Sequence, residues 1–118
     1  MSNVVFVGVC GGRGYWDRAI VSEAMLNTVR DFAGDMVIIV HGAARGADTL
    51  AGEEARKMRL HVIPVQALWA VYAKRAGIIR NGIIAALPLR RLLAFPGGVG
   101  TADMVRRAEA AGIEVVRL

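Results

Sequence analysis

Three segments of this chain carry residues whose type and spacing suit anion chemistry. In Pro96-Gly97-Gly98-Val99-Gly100-Thr101, glycines separate an apolar run from a helical stretch. Glycines let backbone N–H groups approach an anion closely, and a helix N-terminus adds unpaired donors and partial positive charge, so Gly97, Gly98, Gly100 and Thr101 suit a phosphate. The Thr101 hydroxyl either reaches that phosphate or caps the helix, and the plain alternative for the glycines is a tight turn. His41-Gly42-Ala43-Ala44-Arg45-Gly46-Ala47-Asp48 repeats the pattern. Its small residues keep the loop low, so a ligand fits over Gly42 and Ala43 while Arg45 pairs with a phosphate. Asp48 is either a helix N-cap or a carboxylate accepting from ribose hydroxyls, and His41 either a general base or a hydrogen-bonded structural side chain.

The third segment, Gly11-Gly12-Arg13-Gly14-Tyr15-Trp16-Asp17, fails the GxGxxG dinucleotide fingerprint because Asp17 stands where the last glycine belongs. A standard NAD dehydrogenase is therefore disfavoured, and no cofactor is implied. Gly12 leaves room for a ligand and Arg13 offers a forked cation. Tyr15 or Trp16 either stacks on a base or packs as a lid on the first helix, and Asp17 is expected to cap that helix. Lys74, Arg80 and Asn81 interrupt an otherwise apolar helix; Arg80 and Asn81 lie between Ile78-Ile79 and Ile83-Ile84. A guanidinium there needs a bound anion or carboxylate, unless it snorkels to solvent. Cys10 reads as a small buried hydrophobe.

Positioning these residues requires strands that end at the loops. Asn3 to Cys10 is a β-branched run fitting a strand buried on both faces. Asp17 to Ala33 follows with helical spacing, Ile20, Val21, Ala24, Met25, Val29 and Phe32 sharing a face. A strand from Met36 to Val40, a helix from Asp48 to Met58 and a strand from His61 to Val65 come next, with Pro64 marking a sheet edge. Val71 to Leu87 predicts one helix, or a pair broken near Gly77 or Gly82. Arg91 to Phe95 is a strand, Thr101 to Ala111 a helix, and Glu114 to Leu118 a last strand. Strict alternation with short turns implies an α/β domain over residues 1–118, with a parallel sheet of about five strands covered on both faces. Ligands sit beyond the carboxyl ends of such strands, where strand order reverses, and all three loops fall at those ends.

Composition narrows the class. The chain has 118 residues, 55% hydrophobic, with 15 Lys+Arg against 10 Asp+Glu and a net charge of +5. One Cys excludes an intramolecular disulfide framework and any multi-Cys zinc cluster, and with only two His a metal site would need mostly carboxylate ligands, so no metal is expected. No apolar run reaches the ~18 residues of a membrane span, and the start lacks a basic signal-peptide region, so a cytoplasmic protein with no membrane partner is expected. The positive balance suits nucleic acid, nucleotides or other phosphates. Arg13, Arg45, Lys74 and Arg80 fall in or beside the loops, which narrows the charge to a small phosphate-bearing ligand.

Taken together, GGRGYWD, HGAARGADTLAGEEAR, the stretch from Lys74 to Asn81 and FPGGVGTADMVRRA resemble the SLOG superfamily, which joins the Smf/DprA proteins to the LOG enzymes, and within it the small YspA-like branch. The resemblance covers nearly the whole chain. It implies a Rossmann-like three-layer sandwich that binds nucleotides or nucleotide-derived ligands at the strand ends. LOG members cleave the N-glycosidic bond of nucleoside monophosphates, and DprA-like members bind single-stranded DNA. In the LOG pattern PGGxGTxxE the Glu supports ribose binding and hydrolysis; Met104 takes its place here, and a thioether can serve neither as acid nor as base. Asp103, one residue earlier, points about 100° away around the helix. Arg80 matches the LOG-like Arg, so Arg80 and Asp103 are the catalytic candidates of a hydrolase reading. A binding or sensing module ranks first, an N-glycosidic hydrolase second, and single-stranded nucleic-acid binding on Trp16 or Trp69 last. The apolar stretch from Ile78 to Leu89, with Ile83, Ile84, Leu87 and Leu89, leads to the expectation of a homodimer or higher homo-oligomer.

Overall fold

A computed structural model describes residues 3–118. Met1 and Ser2, which belong to the expectations for the start of the chain and for one domain over 1–118, lie outside the described residues. Five strands alternate with helices: β1 (Val4–Cys10), α1 (Arg18–Asp31), β2 (Met36–His41), α2 (Ala47–Lys57), β3 (His61–Pro64), the single turn α3 (Trp69–Tyr72), a 3-10 turn (Ala73–Arg75), α4 (Ala76–Ala85), β4 (Leu89–Ala94), α5 (Val99–Ala110) and β5 (Glu114–Arg117). The strands form one parallel sheet in the order β3-β2-β1-β4-β5, the α/β Rossmann-like architecture. Pro64 ends β3 at the sheet edge, as its missing N–H demands.

Each sheet face carries its own core. Val5, Val7 and Val9 of β1 pack with Val21 and Met25 of α1 and Ala51 and Ala55 of α2, and the cluster reaches Phe95 just beyond β4. On the opposite face Cys10, Val40, Leu92 and Ala94 meet Ile84 of α4 and Met104 and Ala108 of α5. Alternate residues of β1 thus serve opposite layers, which explains a strand apolar at nearly every position. No helix among the described residues is long and apolar enough to cross a membrane.

Several local expectations need correction. Ile20 and Val29 are exposed, and Thr28 joins the buried stripe of α1 through its hydroxyl, which donates to the Ala24 carbonyl at 2.8 Å. The stretch from Val71 to Leu87 breaks at Ala73 (φ 50°), not at either glycine. Gly77 and Gly82 lie inside α4; a Cβ on Gly82 would crowd the Arg107 guanidinium at 3.3 Å, whereas one on Gly77 would make only ordinary contact with Trp69 at 3.5 Å. Helix α5 starts at Val99 with Gly98 as N-cap, which puts Thr101 in its first turn rather than at its cap. Asp48 is not an N-cap either: Gly46 holds that place with φ 77°, where a Cβ would run into the backbone of Gly12 and Arg13. Asp17 does cap α1, accepting from the Ile20 N–H at 3.3 Å.

Candidate functional site

The chain runs outward from β1 to β3 in one direction and then returns across β1 to β4, so strand order reverses between β1 and β4. The two strands stay joined past their ends: the Phe95 N–H donates to the Cys10 carbonyl at 2.9 Å and the Gly12 N–H to the Pro96 carbonyl at 2.8 Å. A Cβ on Gly12 would press on Pro96 and Gly97, and one on Gly97 would strike the Gly12 nitrogen and the Thr101 hydroxyl. Gly97 is thus a packing glycine between two loops. It does not line the cavity of about 480 Å³ that opens over the reversal point.

Cys10, Ile84 and Met104 give that cavity apolar wall, and all three loops reach it through Gly12 and Arg13, Gly42 and Asp48, and Gly98, Gly100 and Thr101. Lys74, Arg80 and Asn81 close it from the α4 side. Arg45 borders a smaller cavity of about 200 Å³ that shares Arg13, Gly42, Ala44, Trp69 and Arg80 with the first. The Gly98, Val99, Gly100 and Thr101 N–H groups donate to nothing among the described residues, as befits the first turn of a helix.

Asp48 is buried, and its Oδ2 accepts from the N–H groups of Gly42 at 3.0 Å and Ala44 at 3.3 Å. Burial pushes its carboxyl up to about 6, against the pull of those N–H groups and of Arg80. His41 Nδ1 accepts from the Ala43 N–H at 2.9 Å, so the ring is neutral; burial, aided by Arg56 and Arg80, pushes its pKa down to about 4. Ala43 takes φ 56° to make that bond and does not line either cavity. Half-buried Arg80 neither snorkels nor finds a carboxylate: Nη1 donates to the Gly42 carbonyl and Nε to Asn81 Oδ1 at 3.1 Å. Burial lowers its pKa, Asp48 opposes that shift and Arg13 adds to it. Asn81 in turn donates to the Gly100 carbonyl at 3.1 Å and to Asp103 Oδ2 at 3.0 Å.

Asp103 lies behind this wall. It accepts from Asn81, Arg106 at 3.3 Å and Arg107 at 3.0 Å, and it does not line the cavity. Burial raises its pKa, but the Asn81 and Arg107 hydrogen bonds outweigh that and hold the carboxyl below its ordinary value. Cys10 is buried and its thiol is pushed up to about 12, chiefly by burial and then by Asp48, so it is an inert wall atom. Tyr15 packs on Phe95 with ring centroids 5.3 Å apart, and exposed Trp16 stays off both cavities. The aromatic side chain on the cavities is Trp69, with the Arg13 guanidinium 5.3 Å above its ring. In the sequence Trp69 suggests only nucleic-acid stacking; its signal is a bulky ring in the connection from β3 to β4, which crosses back over the sheet. Among the described residues no three His, Cys, Asp or Glu side chains are grouped to hold a metal.

Comparison with known proteins places this geometry. The model of the YspA, cpYpsA-related SLOG family, YAcAr, matches residues 5–72. The Gene 61 protein of Mycobacterium phage D29 is 36% identical over 115 residues, which cover 92% of this chain and 91% of that protein. DNA processing protein A (DprA) of Streptococcus pneumoniae shares the fold at a TM-score of 0.75 and 21% identity, over 97% of this chain and 50% of that one. The chain therefore spans half the length of that DprA chain. The structural-genomics target TM1055 shares the fold at a TM-score of 0.65 and 19% identity, over 98% of this chain and 72% of that one. With more than half its length matched by the family model and a relative similar nearly end to end, the chain belongs to the YspA, cpYpsA-related SLOG family.

Proposed function

We propose that the protein binds a nucleotide or nucleotide-derived ligand across the ends of β1 and β4, its phosphate on the N–H groups of Gly98 to Thr101. The observation that carries this reading is the pairing of those unpartnered donors with a cavity whose other walls bring in Arg80, Arg13 and Lys74. Trp69 offers a flat face for a base. Calorimetry against nucleoside 5′-monophosphates, with Gly98→Asp as control, tests it. Gly98 has φ −102° and open space where a Cβ would stand, and Asp is a favoured N-cap residue, so the variant is expected to fold, which circular dichroism checks. Its carboxylate would take the donors that the phosphate needs, weakening binding about a hundredfold or more. No binding across the panel, or affinity indifferent to the substitution, would sink the reading.

One observation favours a second reading, N-glycosidic cleavage: Asp48 is a carboxylate on the cavity wall with its pKa raised to about 6, suited to general acid chemistry. Release of free base from a nucleoside monophosphate, lost in Asp48→Asn and kept in Asp103→Asn, would support it; no release at high protein concentration counts against it. Nucleic-acid binding draws on the DNA processing named for DprA and on the cationic balance. Its mark would be a steep fall of affinity with salt.

A further inference from the structure

We propose that the cleft holds a second anion subsite, formed by Arg13, Arg45 and Arg80 beside Trp69, and that the ligand is a nucleotide carrying two phosphoryl groups. The inference rests on the reading that the Gly98 to Thr101 donors take the first. Arg45 lines only the smaller cavity, whereas Gly98, Gly100 and Thr101 line only the larger. The two sets thus border different parts of the cleft, which a ligand with two phosphoryl groups would engage together. Arg13, Gly42, Ala44, Trp69 and Arg80 border both spaces, so one extended molecule can run from the glycine donors to the guanidiniums.

Six cations pair with carboxylates: Arg18 and Lys57 with Glu53 or Glu54, Arg91 with Asp31 and Glu114, Arg106 and Arg107 with Asp103, and Arg117 with Glu109. Arg13, Arg45 and Arg80 make no ion pair among the described residues, and no carboxylate lines the smaller cavity. Arg30, Arg56, Arg59, Arg75 and Arg90 make no ion pair among the described residues either, but they border neither cavity, so what distinguishes the cluster is that its three guanidiniums converge on one space. Three guanidiniums around about 200 Å³ repel one another until an anion enters. Two are already aimed: Arg13 is stacked over Trp69, and Arg80 is held by the Gly42 carbonyl and Asn81. Exposed Arg45, tethered only by its own loop, is free to close on the second phosphoryl group as a forked donor.

The test compares each nucleoside monophosphate with a diphosphate-linked counterpart at fixed ionic strength: AMP with ADP-ribose, GMP with GDP-mannose, UMP with UDP-glucose and CMP with CDP-choline. Calorimetry on the full chain should find at least one pair in which the diphosphate-linked member binds about tenfold or more tightly. In Arg45→Gln that preference should shrink from about tenfold to about twofold. Equal affinities within every pair, or a preference untouched by both Arg45→Gln and Arg13→Gln, would overturn the second subsite. If monophosphates still bind and Gly98→Asp still abolishes it, the first reading survives that outcome; if nothing in the panel binds, both fall.

Discussion

The two walls of the cleft are built on different principles. On the α4–α5 wall, Asn81, Asp103 and Arg107 form a chain of mutual hydrogen bonds that reaches as far as Arg80 Nε, and Asn81 bonds three ways at once. On the β2–α2 wall the loop from Gly42 to Ala44 is pinned by two titratable acceptors, Asp48 and His41, whose pKa values are displaced in opposite directions. Beyond it Arg13 and Arg45 have no carboxylate at all among the described residues. A saturated network fixes where α5 begins and so aims the glycine donors. An unsaturated cluster fixes nothing until a ligand completes it, and this contrast separates positioning residues from binding residues in a site where both kinds are charged.

The largest effect should come from breaking the saturated wall. Asn81→Leu keeps the branched outline but removes one hydrogen-bond partner each from the Gly100 carbonyl, Asp103 Oδ2 and Arg80 Nε, at a position where Asn81 and Asp103 are buried. Three lost hydrogen bonds, two of them to charged groups, cost about 3 kcal/mol together, or about 10 °C of melting temperature for a domain of this size. Thermal unfolding followed by circular dichroism measures it. A shift under about 2 °C would mean that water replaces Asn81 readily and that the two walls do not differ as described.

Much of this arrangement was legible in the sequence. Buried parallel strands announce themselves by unbroken β-branched runs, and the glycine loops fall at their ends because only small residues let neighbouring backbones close over the sheet, as Gly12 and Gly97 do. What escaped depends on contacts between distant segments. Nothing local marks Ala73 as the corner between α3 and α4, where its backbone takes φ 50°. Asp48 has the spacing of a cap, yet Gly46 takes that role because Gly12 and Arg13 crowd the position from the neighbouring loop. Asp103 is one residue off the motif position and so an imperfect candidate beside Arg80, and only its partners on α4 and α5 show that its carboxylate is engaged off the cavity. Periodicity is a property of one segment, whereas the direction of a polar side chain is a property of its neighbours.

A smaller effect should sharpen the comparison on the titratable wall. Burial lifts the Asp48 carboxyl from 3.8 to about 6, so between those values the folded chain holds more protons than the unfolded one and stability falls as pH rises. Burial, with Arg56 and Arg80, drops His41 from 6.5 to about 4, so across nearly the same window the folded chain holds fewer protons and stability rises with pH. The two slopes oppose each other, and their contributions to the native stability largely cancel between pH 4 and 6. Asp48→Asn keeps an amide oxygen to accept from the Gly42 and Ala44 N–H groups but removes one slope. Urea unfolding at several pH values gives both profiles, and subtracting the native one from the variant removes every other titration. The difference should grow in the variant's favour by about 2 kcal/mol from pH 4 to pH 7. A flat difference would mean that Asp48 is solvated in the folded chain, and the loop over the cleft would then be held no differently from the wall opposite.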